Sequence, residues 1–492
     1  MRNSALVVVL MLIAAAPARA ADWAQFRGPN SSGIAVGPAP PIEFGPGKNE
    51  LWKVSLDSGH SSPCVVGDSI FLTTYDQPKK QLAVVCIARA DGKIRWSRTV
   101  SAKQIEKGHP SFNPASSTPT SDGQRVVAYF GSFGLVCFDM DGTKLWDVPL
   151  PLAQSYGGAA TSPIIVGDRV ILYRATYADH YLLALDKKTG KQIWKTQQAA
   201  RFTPNVACTA TPIVAGDQLI LHSVHAIQGF AVSDGKLLWQ ANLSATATST
   251  PVLAGKEVIV ATWTQTGEPA LVPKYPPYEE LLKANDKNGD KLIGRGEMPR
   301  LMIFHRPEGT EAPANGAPLR FERVDRNRNG KINAVEWAAW RAKSGKRRAG
   351  YKHHGMVAIN IEGQGTLKPD QIRTLEPQGI PEVPSPLYHE GYVYFVKNGG
   401  ILTCLELKTG KRVYRMRTGG SGTHYASPII AGGMLMTISG DGQMSVVRLG
   451  PDAEVLASNK IGERIYATPA IVDGVIYVRT HKTLFAFSAD AR

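Results

Sequence analysis

Eight times along the chain a Ser or Thr stands directly before a proline at the start of an apolar stretch. The pairs are Ser62-Pro63, Thr118-Pro119, Ser162-Pro163, Thr211-Pro212, Thr250-Pro251, Ser385-Pro386, Ser427-Pro428 and Thr468-Pro469. After most of them come a short hydrophobic run, a turn such as Gly67-Asp68 or Gly167-Asp168, then a second and a third apolar run. Each unit then closes on a sequence like Asp186-Lys187-Lys188-Thr189-Gly190-Lys191-Gln192-Ile193-Trp194. Four short strands per unit at this period is the pattern of a propeller blade. The expected fold is all-β, an eight-bladed propeller.

The prolines are spaced by about 40 to 55 residues, the length that a four-stranded blade needs, except between Pro251 and Pro386. That interval holds one blade and roughly 90 residues more, so a segment is inserted in blade five. The expected organisation is a leader at 1–20, an arm at 21–50, the propeller at 51–265 and 353–492, and the insertion at 266–352.

The ends of the chain suggest how the ring closes. Thr483 to Ser488 forms a third strand with no fourth after it, and Leu51-Trp52-Lys53-Val54 looks like a fourth strand with nothing before it. Pairing the two completes the last blade and leaves no exposed sheet edge at the seam. Trp96, Trp146, Trp194, Trp239 and Tyr414, each closing a unit, are expected to wedge between neighbouring blades.

Met1-Arg2-Asn3, the apolar run Ala5 to Ala16 and Ala18-Arg19-Ala20 fit an export signal with cleavage near Ala21. No later segment is apolar for long enough to span a bilayer, so a periplasmic or secreted protein is expected. No cysteine lies at the cleavage point. Cys86, Cys137 and Cys404 occupy the position that Ala184, Gly229 and Ala486 take in other units, which marks a tight packing site rather than a disulfide framework. Cys64 and Cys208 stand near the starts of different blades, and their spacing leaves open whether they meet. The net charge of +15 is spread over single Lys residues in turns, as a solvated rim requires, so no nucleic-acid partner is expected. One dense run, Lys346-Arg347-Arg348 with Lys352, is a candidate for binding an anion.

The repeat around Asp186 to Trp194 and the opening Trp23-Ala24-Gln25-Phe26-Arg27-Gly28-Pro29-Asn30 resemble the quinoprotein-like, or PQQ-binding-like, propellers. The resemblance implies the fold. For function it implies either a quinone-dependent dehydrogenase or an assembly scaffold of the outer membrane.

Two loops of one pattern interrupt blade five. The first runs from Asp286 to Glu297, with Asp286, Asn288, Asp290 and Glu297 at positions 1, 3, 5 and 12 and the Leu292 carbonyl at position 7. The second runs from Asp325 to Glu336, with Asn327, Asn329, Asn333 at position 9, Glu336, and the Lys331 carbonyl at position 7. These are EF-hand loops. Alternate side chains turn inward on a hard Ca²⁺ ion, and the last Glu supplies two oxygens. Ile293 and Ile332 are expected to pair between the loops, with helices at Glu279 to Asn285, at Leu319 to Val324 behind Pro318, and onward from Glu336. Lys291 stands where the turn wants Gly, and Arg326, Arg328 and Lys331 oppose a cation. The expected sites are therefore weak, with dissociation constants of about 10⁻⁵ to 10⁻³ M.

The segments before each Ser/Thr-Pro share one face of a propeller and bring His60, Tyr156, Asn205, His424, Tyr425, Arg464 and Tyr466 to the channel mouth. Such a ring could hold an anionic or sugar-like ligand. The adjacent cysteine pair that the resemblance implies for a quinone dehydrogenase is missing, and no catalytic triad, phosphate loop or zinc motif is present. The reading is an exported, calcium-binding, non-catalytic scaffold for a protein or glycan partner. The alternative is a PQQ-dependent oxidoreductase of the alcohol or sugar dehydrogenase type.

Overall fold

A computed structural model describes residues 22–198, 207–243, 245–264, 267–305, 316–348, 354–420 and 422–491. The expected leader lies outside the described residues, as do Asn205 and Lys352. Seven four-stranded sheets and one five-stranded sheet form an eight-bladed propeller. Blade one shows the rule, with strands Cys64–Val66, Ser69–Asp76, Gln81–Ala88 and Ile94–Val100 paired in order. Its middle strands are buried on both faces because blades stack on either side, whereas the outermost strand buries only Trp96 and Val100.

The Ser/Thr-Pro repeat makes a closed ring of hydrogen bonds about the axis. The backbone N–H of Ser62 donates to Thr118 Oγ1 at 2.9 Å, Thr118 to Ser162 Oγ at 3.0 Å, Ser162 to Thr211 Oγ1 at 3.2 Å and Thr211 to Thr250 Oγ1 at 3.0 Å. Thr250 then donates to Ser385 Oγ at 2.9 Å, Ser385 to Ser427 Oγ at 3.0 Å, Ser427 to Thr468 Oγ1 at 3.0 Å and Thr468 back to Ser62 Oγ at 3.1 Å. Each bond contributes about 1 kcal/mol net, and leaving one of these buried N–H groups unmet would cost more.

A second device joins blades at the outside. The indole N–H groups of Trp52, Trp96, Trp146 and Trp194 donate to Arg89, Met140, Lys187 and Val232 carbonyls of the next blade at 2.8 to 3.1 Å. Each indole lies on the glycine of that blade's turn, Gly92, Gly142, Gly190 or Gly235, where a Cβ would approach within 2.5 to 2.9 Å. The small residue of the third strand faces the same aromatic, as in Cys86 with Trp96, Cys137 with Trp146 and Ala184 with Trp194. All five cysteines are buried and free, Cys64 and Cys208 included. Trp239 departs from the pattern and donates within its own blade to Gln218 Oε1 at 2.8 Å.

Glu50–Ser55 pairs with Thr483–Phe487 and closes blade eight. The arm before it runs along the inner strands that line the axis. Trp23 exchanges backbone bonds with Val65 of blade one at 2.8 and 2.9 Å. Asn30 bonds both backbone groups of Val214 in blade four at 2.8 and 2.9 Å. Gly33 and Ala35 bond Ile430 in blade seven, each at 2.8 Å. The arm thereby satisfies inner edges that would otherwise face the channel.

The insertion leaves blade five after Glu257–Ala261 and returns at Met356–Asn360, and those two strands pair directly. It has its own core, built on Tyr275, Leu281, Ile293, Phe321, Ile332, Trp337 and Trp340. Helix α1, Tyr278–Asn285, precedes the first loop, and helix α2, Ala334–Arg348, follows the second. One helical expectation changes. Leu319 to Val324 holds only the 3-10 turn Phe321–Arg323, and Pro318 ends strand Gly316–Pro318, which pairs with Met302–His305. So short a run cannot offset helix nucleation. No helix follows Glu297, where Gly296 and Pro299 disfavour one.

Glu268 fastens the insertion to the propeller. Its carboxylate accepts the Gly379 N–H at 2.7 Å and the Ile380 N–H at 3.1 Å, and His354 Nε2 lies 3.2 Å away. Thr264 N–H donates to His354 Nδ1 at 3.1 Å, so the Nε2 hydrogen faces Glu268. Burial raises the pKa of Glu268, but His354 and the Gly379 N–H outweigh it and hold the carboxyl below its ordinary value. Among the described residues no helix is long and apolar enough to cross a membrane.

Candidate functional site

In the first loop the carboxylates of Asp286, Asp290 and Glu297 converge, with one oxygen of each within 4.8 Å of the others. Backbone N–H groups wind the loop around them. Gly289 and Lys291 donate to Asp286 at 2.8 and 3.0 Å, Asp290 to Asn288 Oδ1 at 2.9 Å, and Lys287 and Gly294 to the two oxygens of Glu297 at 2.9 and 2.8 Å. Lys291 takes the left-handed conformation expected of a glycine, with φ of 59°. The second loop repeats the winding, with Gly330 on Asp325, Asn329 on Asn327, Lys331 on Asn329, and Arg326 and Asn333 on Glu336. Ile293 pairs with Ile332, and the Tyr278 hydroxyl donates to the carbonyls of Lys291 and Ile332 at 3.1 and 2.7 Å. An all-oxygen set of this kind fits a hard cation. Lys331 Nζ already sits 2.7 Å from Asp290 Oδ2, and that bond lowers the pKa of Asp290.

The second site is a cavity of about 200 Å³ on the axis, bordered by all eight hydroxyl-bearing residues of the ring. Phe26 of the arm borders it too. Of the residues expected at the mouth, His60, Tyr425 and Tyr466 come together, with ring centroids 5.1 Å apart for His60 and Tyr466 and 4.8 Å for Tyr425 and Tyr466. Arg464 lies over the Tyr466 ring at 5.6 Å but does not border the cavity. Tyr156 borders it beside His109, at 5.3 Å. His424 does not: it is buried with Nδ1 3.2 Å from the Gly422 carbonyl, and burial pushes its pKa down to about 4.

Sequence reasoning missed His109, Phe112, Glu382 and the ring hydroxyls, all of which border the cavity. The Ser/Thr-Pro signal was visible, but as architecture. His60 is held neutral: burial, then His481, Arg479 and Arg464, push its pKa to about 3 against the opposing Ser111 backbone. Its Nε2 is buried without a partner.

A family profile described as the outer membrane protein assembly factor BamB matches residues 45–226 and 84–272. The curated BamB of Burkholderia pseudomallei is 22% identical over 223 residues, 44% of this chain and 54% of that relative, so the match spans about half of its length. The solved BamB of Moraxella catarrhalis superposes with a TM-score of 0.53 at 11% identity, over 90% of this chain and 98% of that one. The chain is an eight-bladed β-propeller that is similar, over residues 45–272, to this family of PQQ-like repeats. Among solved quinoproteins of this fold, the quinohemoprotein alcohol dehydrogenase of Comamonas testosteroni gives a TM-score of 0.54 at 12% identity, over 96% of this chain and 81% of that one. At such identity the likeness is one of fold alone.

The described residues that border the cavity do not fit the quinone of those quinoproteins. Pyrroloquinoline quinone is a flat polycyclic carboxylate, and among the described residues no Lys or Arg borders the cavity to meet its charge. No cysteine borders it either, and the acidic group suited to a metal lies in the insertion instead.

Proposed function

We propose that this propeller is an exported, calcium-binding scaffold that holds a protein or glycan partner without transforming it. The observation that carries the reading is the chemistry of the axial cavity. Its eight hydroxyls all accept backbone N–H groups, and burial holds its histidine His60 neutral, with no carboxylate bonded to it among the described residues to make it a strong base. The likeness to proteins named as outer membrane assembly factors supports a role in the cell envelope.

In the insertion, Asp286, Asn288, Asp290, Glu297 and the Leu292 carbonyl would hold one ion. Asp325, Asn327, Asn329, Glu336 and the Lys331 carbonyl would hold a second, with Asn333 at position 9. Bound calcium would neutralise the converging carboxylates and so stabilise the insertion, by an amount that grows with the logarithm of calcium concentration above the dissociation constant.

Calorimetric titration of the mature protein with Ca²⁺ tests this. The expected dissociation constants are about 10⁻⁵ to 10⁻³ M, and chelation is expected to melt the insertion while the near-UV signal of the propeller persists. Absence of heat at millimolar calcium overturns the calcium assignment. Dye reduction with alcohols or sugars after mixing with PQQ and Ca²⁺ overturns the non-catalytic one.

A further inference from the structure

The axial cavity has a chemistry more selective than a general partner surface. Each ring hydroxyl accepts one backbone N–H and keeps its own hydrogen to donate, and all eight border the same space, at 1 to 3% residue exposure. Beside them His60 Nε2 is buried with no partner. Groups of this kind are costly to leave unmet, so in the free protein they call for water, and a ligand that displaces the water must bring oxygens of its own. The mouth adds the edge-to-face pair Tyr425 and Tyr466 at 4.8 Å, which offers apolar ring surface beside polar groups.

Charge narrows the ligand further. Among the described residues bordering the cavity there is no Lys or Arg, His60 is neutral, and Glu382 stands as the one carboxylate. Among the described residues an anion would find no counter-charge there. A neutral polyol would find donors in the hydroxyls and an acceptor in His60 Nε2. The volume of about 200 Å³ is below the roughly 300 Å³ at which drug-sized pockets begin, which limits the occupant to a small molecule.

We infer that the axial cavity binds a small neutral saccharide, its hydroxyls on the Ser/Thr ring and His60 and its apolar face against Tyr425 and Tyr466. The inference rests on the binding reading above and names the ligand class of that site.

The test uses the mature protein with glucose, galactose, mannose, xylose and glucuronate as probes, followed by saturation-transfer NMR and calorimetry. At least one neutral sugar is expected to saturate with a dissociation constant of about 1 mM, and glucuronate to bind about tenfold more weakly. Tyr466→Ala and Tyr425→Ala are each expected to weaken the neutral sugar about tenfold, with thermal melts of the sugar-free variants showing that they remain folded. Three results would overturn the inference: no saturation by any neutral sugar, a preference for glucuronate, or sugar binding unchanged in both variants. Calcium titration of the same samples reports on the insertion alone, so failure here leaves that part of the earlier reading to stand or fall on its own result.

Discussion

Lys331 sits where it competes with the ion that the paired loops would bind. Position 7 of the second loop needs only a backbone carbonyl, yet the side chain reaches across to Asp290, at position 5 of the first loop, at 2.7 Å. That bond raises the pKa of Lys331, so the ammonium stays charged throughout the ordinary range. Both groups are exposed, and such pairs are weak because water and salt screen them. Lys331→Gln is therefore expected to tighten calcium binding in the first loop by about two- to fivefold, with the backbone ligand retained. Calorimetry at low salt would measure it, and an unchanged or weaker affinity would show that the lysine does not obstruct the site.

At the scale of elements, the joint between blades depends on a glycine and an indole from different sheets. Gly190 has φ of 71°, and a Cβ there would come 2.9 Å from Trp146. Gly190→Ala should cost about 2 to 4 kcal/mol, since it combines left-handed strain with overpacking. Gly216→Ala, with φ of 62° and open space around it, should cost only about 1 to 2 kcal/mol. Urea melts of the two variants that coincide would remove the indole from the explanation. This joint was half legible in the sequence. Trp146 and Gly190 both stood out, but the contact between them is not local, and nothing in either run reports the partner. The convergence of Asp286, Asp290 and Glu297 was legible because all three lie within one short segment. The helix expected behind Pro318 was not, because six residues carry too little propensity to hold against the hairpin that Met302–His305 offers. At the channel mouth, fold topology placed the right connections, yet adjacent His424 and Tyr425 differ in whether they border the cavity, which is set by packing rather than pattern.

For the whole molecule, closure of the ring rests on a seam between its two ends. In seven blades the four principal strands follow one another in chain order, with the insertion interrupting those of blade five, whereas blade eight joins Glu50–Ser55 to Thr483–Phe487 from opposite ends of the chain. Ser55 and Thr483 are register partners at the end of that ladder, and facing residues in an antiparallel pair lie within reach of a disulfide. A bond there would enclose nearly the whole folded chain. In the chain-entropy view, a loop so long gives the largest stabilisation a single disulfide can, about 5 kcal/mol as an upper figure. The double change Ser55→Cys with Thr483→Cys also forfeits the hydrogen bond from Thr483 Oγ1 to Glu463 at 2.8 Å, worth about 1 kcal/mol. The reduced variant is therefore expected to melt slightly below the parent and the oxidised variant well above it. If oxidation leaves the melting temperature where reduction put it, unfolding does not begin by parting this seam, and the hydroxyl ring and indole joints would have to yield first.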